Sequence, residues 1–188
     1  MVMRCPWAEI NPLMISYHDT EWGIPQHNDK LLFEYLLLDN FQAGLSWAIV
    51  LQKREGFREA FDGFNVDKIA CYTPEKIESL MKHPIIIKNR LKINAAVTNA
   101  QAFLRVQEDF GSFDRYLWQF VEGCSIQNSW HQLIEIPAKT LEAEAMSLSL
   151  KKRGFKFVGA TICYAFMQSI GMVNDHLVDC FRYKALIG

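Results

Sequence analysis

His176 and Cys180 stand four residues apart in the stretch GMVNDHLVDC, residues 171–180. On a helix that spacing puts two side chains on one face about 6 Å apart, which suits two ligands of one metal ion. Two ligands alone do not close a structural site. Donors of the same kinds recur near the other end of the chain, where Cys5 and His18 flank a segment holding Pro6, Pro12 and two aromatic residues. Together the four make a Cys2His2 set. Zinc takes such a set tetrahedrally, and four protein ligands leave no open position for water, so the ion would be structural. It would tie the first turn of the chain to the last and close a loop of nearly the full length. Spacing by itself favours a plainer reading, a surface histidine and a core thiol, because distant half-sites can be paired on paper in most sequences.

These four donors are spread over a chain of 188 residues. That length fits one large domain or two small lobes and buries about 70% of its unfolded surface. Half the residues are apolar and 22% are charged, which is ordinary for a globular enzyme and excludes a disordered or collagen-like chain. The N-terminus lacks the pattern of a signal peptide. The longest apolar tract, LLFEYLLLDNFQAGLSWAIVL, is interrupted by Glu34 and Asp39 and reads as core helices rather than a membrane span. The expected compartment is the cytoplasm. Five cysteines, an odd number, argue against a disulfide framework, and Cys71, Cys124 and Cys163 are expected to be buried, inert thiols. A net charge of −1 gives no general attraction to nucleic acid, so such binding would need local patches. Two exist, KNRLK at 88–92 and KKRGFK at 151–156. Either also suits a solvated helix end.

Punctuation predicts helices nearly throughout. Asn28 and Asp29 open KLLFEYLLLDN, and Ser46 opens a helix that runs through WAIVLQKREGFREAF to a stop at Gly63. Thr73 and Pro74 open EKIESLMK. A long helix occupies 89–110 before Gly111, and another occupies 112–121 before Gly123. Residues 125–140 lack helical periodicity and read as a loop. LEAEAMSLSLKKR follows, halted at Gly154, and then FKFVGATICYAFMQSIG to Gly171. No pair of alternating strands appears, so the expected fold class is all-α.

Four stretches, RCPWAEINPLMISYHDTEWG at 4–23, FQAGLSW at 41–47, KREGFREAF at 53–61 and KKRGFKFVGATICYAFMQ at 151–168, closely resemble the 3-methyladenine DNA glycosylase I family. The resemblance spans nearly the whole chain and is weakest at 125–140 and after Cys180. It implies one glycosylase domain over 1–188 with a helix-hairpin-helix fold, acting as a monomeric repair enzyme on double-stranded DNA that carries alkylated bases. It implies a structural zinc ion on Cys5, His18, His176 and Cys180, joining the N- and C-terminal segments. The family's base pocket falls on Tyr17, Asp39 and Trp47, with Tyr17 and Asp39 as the catalytic pair, Trp47 stacking on the base, and no membrane involved. The hairpin falls on LKKRGFK, where Lys151, Lys152, Arg153, Gly154 and Lys156 would meet phosphates.

Without the resemblance, Trp47 could be a core residue, Tyr17 could pack beside His18, and Asp39 could end a helix in water. Many relatives carry Glu where this chain has Asp39, one methylene longer, and some carry Tyr where it has Met14. Many helix-hairpin-helix glycosylases keep an Asp about twenty residues past the hairpin glycine, where this chain has Asn174, and an amide cannot act as that base. Lys156 falls near the Schiff-base position of bifunctional members, yet the family resembled is monofunctional, so hydrolysis without strand cleavage is expected. A zinc-dependent base deaminase would need His-x-Glu and Cys-x-x-Cys, which the chain lacks. A zinc-stapled module that binds damage without catalysis ranks second.

Overall fold

Asn11 caps the first helix, accepting the Met14 N–H on its side chain, and Pro12 supplies a preset backbone angle at the first helical position. The computed structural model describes residues 2–187. A 3-10 turn at Pro6–Ile10 leads into α1 (Pro12–Thr20), and α2 (Asp29–Gln42) follows, started by the Asn28 side chain, which accepts the Lys30 and Leu31 N–H groups. Neither Pro12–Thr20 nor its preceding turn was distinguished by periodicity. α3 (Trp47–Gln52) and α4 (Arg54–Ala60) come next, then α5 (Val66–Ala70), α6 (Pro74–Lys82), α7 (Arg90–Phe110) and α8 (Phe113–Trp118). After a two-residue strand, β1 (Ile126–Gln127), come α9 (Leu141–Lys152), α10 (Ala160–Ser169), β2 (Val173–Asn174) and α11 (Phe181–Ala185).

α2 is the axis of the molecule. Its residues 32–41 are all buried, as expected of a helix wrapped on every side, and α3, α7, α8 and α10 pack around it. Three polar groups, Glu34, Asp39 and Asn40, are carried into the interior with it. Glu34 is paired there with Arg54 at 2.6 Å and Arg58 at 2.7 Å. Lys92 of α7 is also buried, and its ammonium donates to the carbonyls of Phe41 and Ala43 at 2.9 and 2.6 Å, satisfying the open end of α2. The 88–92 patch is therefore not a free cationic surface: Lys92 serves a helix end, and Arg90 pairs with Glu78.

Several expectations need correction. The helix expected across 47–61 is two helices broken at Lys53, and the Ser46 side chain makes no capping bond. Residues 155–159 are not helical, so α10 starts only at Ala160. His176 and Cys180 share a turn but not a helix: Cys180 N–H donates to the Leu177 carbonyl, and the helix begins only at Phe181. The fold is mostly helical, in keeping with the expected class, and adds one short parallel pair that was not expected, β1 with β2, Ile126 with Val173 and Gln127 with Asn174. Of the three cysteines expected to be buried, Cys163 is, whereas Cys71 and Cys124 are exposed in turns.

Gly171 ends α10 at φ +72°, and a Cβ there would overlap the backbone of Ile24 and Pro25. Left-handed strain and overpacking together cost roughly 2–4 kcal/mol. Gly171→Ala is expected to lower the melting temperature by about 5–15 °C for a domain of this size, read by thermal circular dichroism. An unchanged melting temperature would contradict the close approach.

Candidate active site and metal centre

Cys5, His18, His176 and Cys180 come together, all buried, with one donor atom of each lying within 4.8 Å of every other. Cys180 Sγ is 3.4 Å from His18 Nε2 and 3.5 Å from His176 Nδ1. Cys5 Sγ is 3.7 Å from His176 Nδ1. Tetrahedral bonds of the usual length to sulfur and nitrogen have edges of roughly 3.3–3.8 Å, so the set needs little adjustment to hold one divalent ion. The remaining ring nitrogens are already engaged, which orients both imidazoles. His18 Nδ1 lies 2.7 Å from Asp19 Oδ1, and Arg4 holds that carboxylate through Nε and Nη2. His176 Nε2 lies 3.1 Å from the Trp22 carbonyl oxygen.

The two thiols are also electrostatically linked. Their mutual interaction, with burial, pushes Cys5 far up, and the same interaction, with His176 and His18, pulls Cys180 down. A metal ion would hold both as thiolates.

Two tryptophans join this cluster to a cavity. Trp7 packs edge-on to His18 at 5.3 Å and Trp22 edge-on to His176 at 4.6 Å. Both rings also line a cavity of about 450 Å³, shared with Tyr17, Asp39, Trp47, Leu133, Ile136 and one face of α10. Tyr17 and Trp47 have ring centres 5.4 Å apart, and the Tyr17 hydroxyl donates to Ser169 Oγ at 3.1 Å. Burial, followed by the nearby Asp39 carboxyl, pushes the Tyr17 phenol well above its ordinary pKa, so it remains a hydrogen-bond donor.

Asp39 is the unusual group. It is 1% exposed, and neither carboxyl oxygen has a hydrogen-bond partner among the described residues; Trp47 Nε1 is likewise buried without an acceptor. Burial holds the Asp39 carboxyl well above the usual range, and Ser169 offsets this only in part. The Ser169 hydroxyl donates instead to the Ala165 carbonyl. Leaving a buried acceptor unsatisfied costs about 1–3 kcal/mol, a cost that a donor-bearing ligand would relieve. The alternative of a helix-end residue facing water does not hold for Asp39.

A second cleft of about 440 Å³ lies on the other side of Tyr17. Its charges are matched within the protein: Arg54 bridges Glu21 and Glu34, and Arg58 bridges Glu34 and Glu55.

The residues between α9 and α10 form a tight hairpin. Gly154, at φ +94°, and Phe155 donate their N–H groups back to the Lys151 and Leu150 carbonyls. Asn99 clamps Lys156 from α7, accepting its N–H at 2.7 Å and donating to its carbonyl at 3.1 Å. Lys151, Lys152 and Lys156 face solvent. Arg153 does not join them: it pairs with Asp109 at 2.7 Å and lies over the rings of Phe110 and Tyr116. It fastens the hairpin to α7 and α8. Asn174, at the counted position for a catalytic carboxylate, is a buried brace that donates to Gln127 Oε1 and the Tyr183 carbonyl.

Sequence reasoning passed over Trp7, Trp22, Gln168 and Ser169. The tryptophans sit two and four residues from Cys5 and His18, a proximity that marks them as neighbours of the cluster.

An aromatic-walled pocket with an unpartnered carboxyl in its wall, built on helices beside a cation-bearing hairpin, defines a receptor for a flat ring that offers hydrogen-bond donors. The chain belongs to the methyladenine glycosylase family, whose model matches residues 7–183. It is 46% identical over 180 residues to DNA-3-methyladenine glycosylase 1 of Escherichia coli (strain K12), covering 96% of each chain. A crystal structure of 3-methyladenine DNA glycosylase I superposes with a TM-score of 0.93 at 45% identity, covering 95% of this chain and 98% of that one. A Tyr-to-Phe variant of a 3-methyladenine DNA glycosylase I, in complex with 3-methyladenine, superposes with a TM-score of 0.92 at 34% identity, covering 95% and 96%.

Proposed function

We propose that this chain is a monofunctional DNA glycosylase that hydrolyses the N-glycosidic bond of 3-methyladenine in alkylated double-stranded DNA, the first step of base-excision repair. The observation that carries this reading is the buried, unpartnered carboxyl of Asp39 in the cavity that the rings of Tyr17 and Trp47 also line. The names and the bound base of its relatives support it.

Methylation at N3 leaves adenine positively charged while it is attached to deoxyribose, which weakens the glycosidic bond and makes the base a good leaving group. Recognition is then the larger task. The base is rotated out of the duplex to stack against Trp47, with Tyr17 at its edge and Asp39 accepting its hydrogen bonds. A cationic base returns to the Asp39 carboxylate the stabilisation that burial removed. Normal adenine brings no such charge. As the bond breaks, its electron pair passes to the base and cancels the positive charge. Water supplies the new oxygen at C1′ and releases a proton to solvent.

Cys5, His18, His176 and Cys180 would hold one zinc ion, which supplies structural cross-linking and no chemistry to the base. The α9–α10 pair serves as the helix-hairpin-helix, with Lys151, Lys152, Gly154 and Lys156 against the phosphates and Arg153 bracing the turn. The chain acts as a single domain, 1–188, and as a monomer in the cytoplasm. No helix among the described residues is long and apolar enough to cross a membrane.

The test is to incubate the protein with methylated duplex DNA and identify the bases released. Free 3-methyladenine and an intact abasic strand are expected. A borohydride-trapped complex through Lys156 would refute hydrolysis without a covalent intermediate.

A further inference from the structure

The Asp175 carboxylate accepts hydrogen bonds from four different side chains, and the chemistry described above does not employ it. It is 1% exposed. Oδ1 accepts from Asn128 Nδ2 at 2.7 Å and from the Trp130 indole N–H at 2.8 Å. Oδ2 accepts from the Tyr164 hydroxyl at 2.6 Å and from Gln168 Nε2 at 2.8 Å. Four donors on two oxygens fill the accepting capacity of one carboxylate. They come from two separate parts of the chain, the segment after β1 and the pocket face of α10.

Both α10 donors line the base pocket, as do Leu133, Ile136 and Pro137 from the segment that Trp130 leads into. Gln168 is the informative one. The Gln168 amide commits its nitrogen to Asp175 Oδ2, and its oxygen is the polar end left for the pocket. That oxygen makes no hydrogen bond among the described residues. We infer that Asp175 is a positioning residue of the base pocket, which fixes the Gln168 amide so that its oxygen faces the extruded base as a second acceptor beside Asp39. The inference rests on the proposed function, since it assigns Gln168 to recognition of the same base. Two acceptors would suit a base whose exocyclic amine and ring edge present donors, and would discourage bases that present carbonyl oxygens there.

Replacing Asp175 by Asn tests the orientation. The new amide offers two hydrogens where an oxygen stood, so Gln168 turns to bond it and presents its own NH2 to the pocket. Asp175→Asn is expected to weaken binding of 3-methyladenine about tenfold and to raise KM for methylated duplex correspondingly, with kcat changed much less. Circular dichroism and metal content serve as controls because His176 is adjacent. Gln168→Met, which keeps the length and removes the amide, is expected to do the same and leaves the Asp175 segment intact. In the double variant the two losses should not add, because without the Gln168 amide there is nothing left for Asp175 to orient. Additive losses, or a Gln168→Met protein that binds and excises like the parent, would overturn the inference. A parent protein that releases no 3-methyladenine would instead overturn the proposed function, so the two failures are distinguishable.

Discussion

Asp39→Ala should slow excision of 3-methyladenine and weaken binding of the base by about tenfold to a hundredfold, with fold and metal content unchanged. Losing a hydrogen bond to a charged partner costs roughly 1.5–3 kcal/mol, which sets that range. Asp39→Asn should fall between the parent and the Ala variant, because the amide keeps one acceptor and loses the charge. Asp39→Glu should retain activity. The pH dependence has a definite sign. The folded carboxyl has a raised pKa caused by burial, so the empty folded state keeps a proton that the unfolded chain releases near pH 4. Stability contributed by the neutral form is full at low pH and declines as pH rises from there through the folded pKa. At neutral pH, Asp39→Asn is therefore expected to melt at a higher temperature than the parent while excising more slowly. Binding of the cationic base works in the opposite direction: it favours the ionised form and strengthens as pH rises through the same window. Thermal melts and excision rates across pH for parent and Asn variant check both limbs. A parent without this rising limb, or an Asn variant that melts lower, would contradict the assigned role.

His176→Ala should lower the melting temperature by about 10–20 °C while leaving residual excision at low temperature. On the zinc reading, the ion links residue 5 to residue 180, and a cross-link closing a loop of a hundred residues or more is worth roughly 4–5 kcal/mol. For a domain of this size that corresponds to the stated shift. Activity survives in part because Trp7 and Trp22 line the pocket beside the cluster, whereas the four ligand residues are not among the groups that would hold the base. Elemental analysis should find one zinc per chain in the parent and less in the variant, and a strong chelator should reproduce the loss of stability. Active protein without metal would sink this expectation.

Much of the helical framework was legible because local chemistry marks it. Asn28, Thr73, Asn89 and Thr140 all accept backbone N–H groups at the helix starts that their types announce, and Gly111 takes the left-handed conformation that ends α7. The parallel strand pair was not legible, since two residues carry no alternation to read. A spacing of four between His176 and Cys180 fits a helix as well as the turn that the chain adopts there. The cluster's convergence lay beyond spacing too, since Cys5 and Cys180 meet only through the tertiary fold, and it was the family motifs that paired them. Arg153 and Lys92 show a different limit. A basic run in sequence looks like a surface for phosphate, but each guanidinium or ammonium answers to its nearest acceptor, and here those are Asp109 and two carbonyls at the end of α2.

The pocket draws its walls from residues 7–47 and again from residues 133–169, and its neighbouring cluster draws on residue 180. During synthesis the early part of that list emerges long before the rest. Trp7, Trp22 and the apolar length of α2 must therefore wait, exposed or in temporary contacts, until α10 and the turn at 176–180 arrive. Contacts between such distant parts of a chain form slowly, and uncovered apolar surface in the interval invites association with other chains. A nascent chain halted before α10 would possess Asp39, Tyr17 and Trp47 and still have no enclosed pocket.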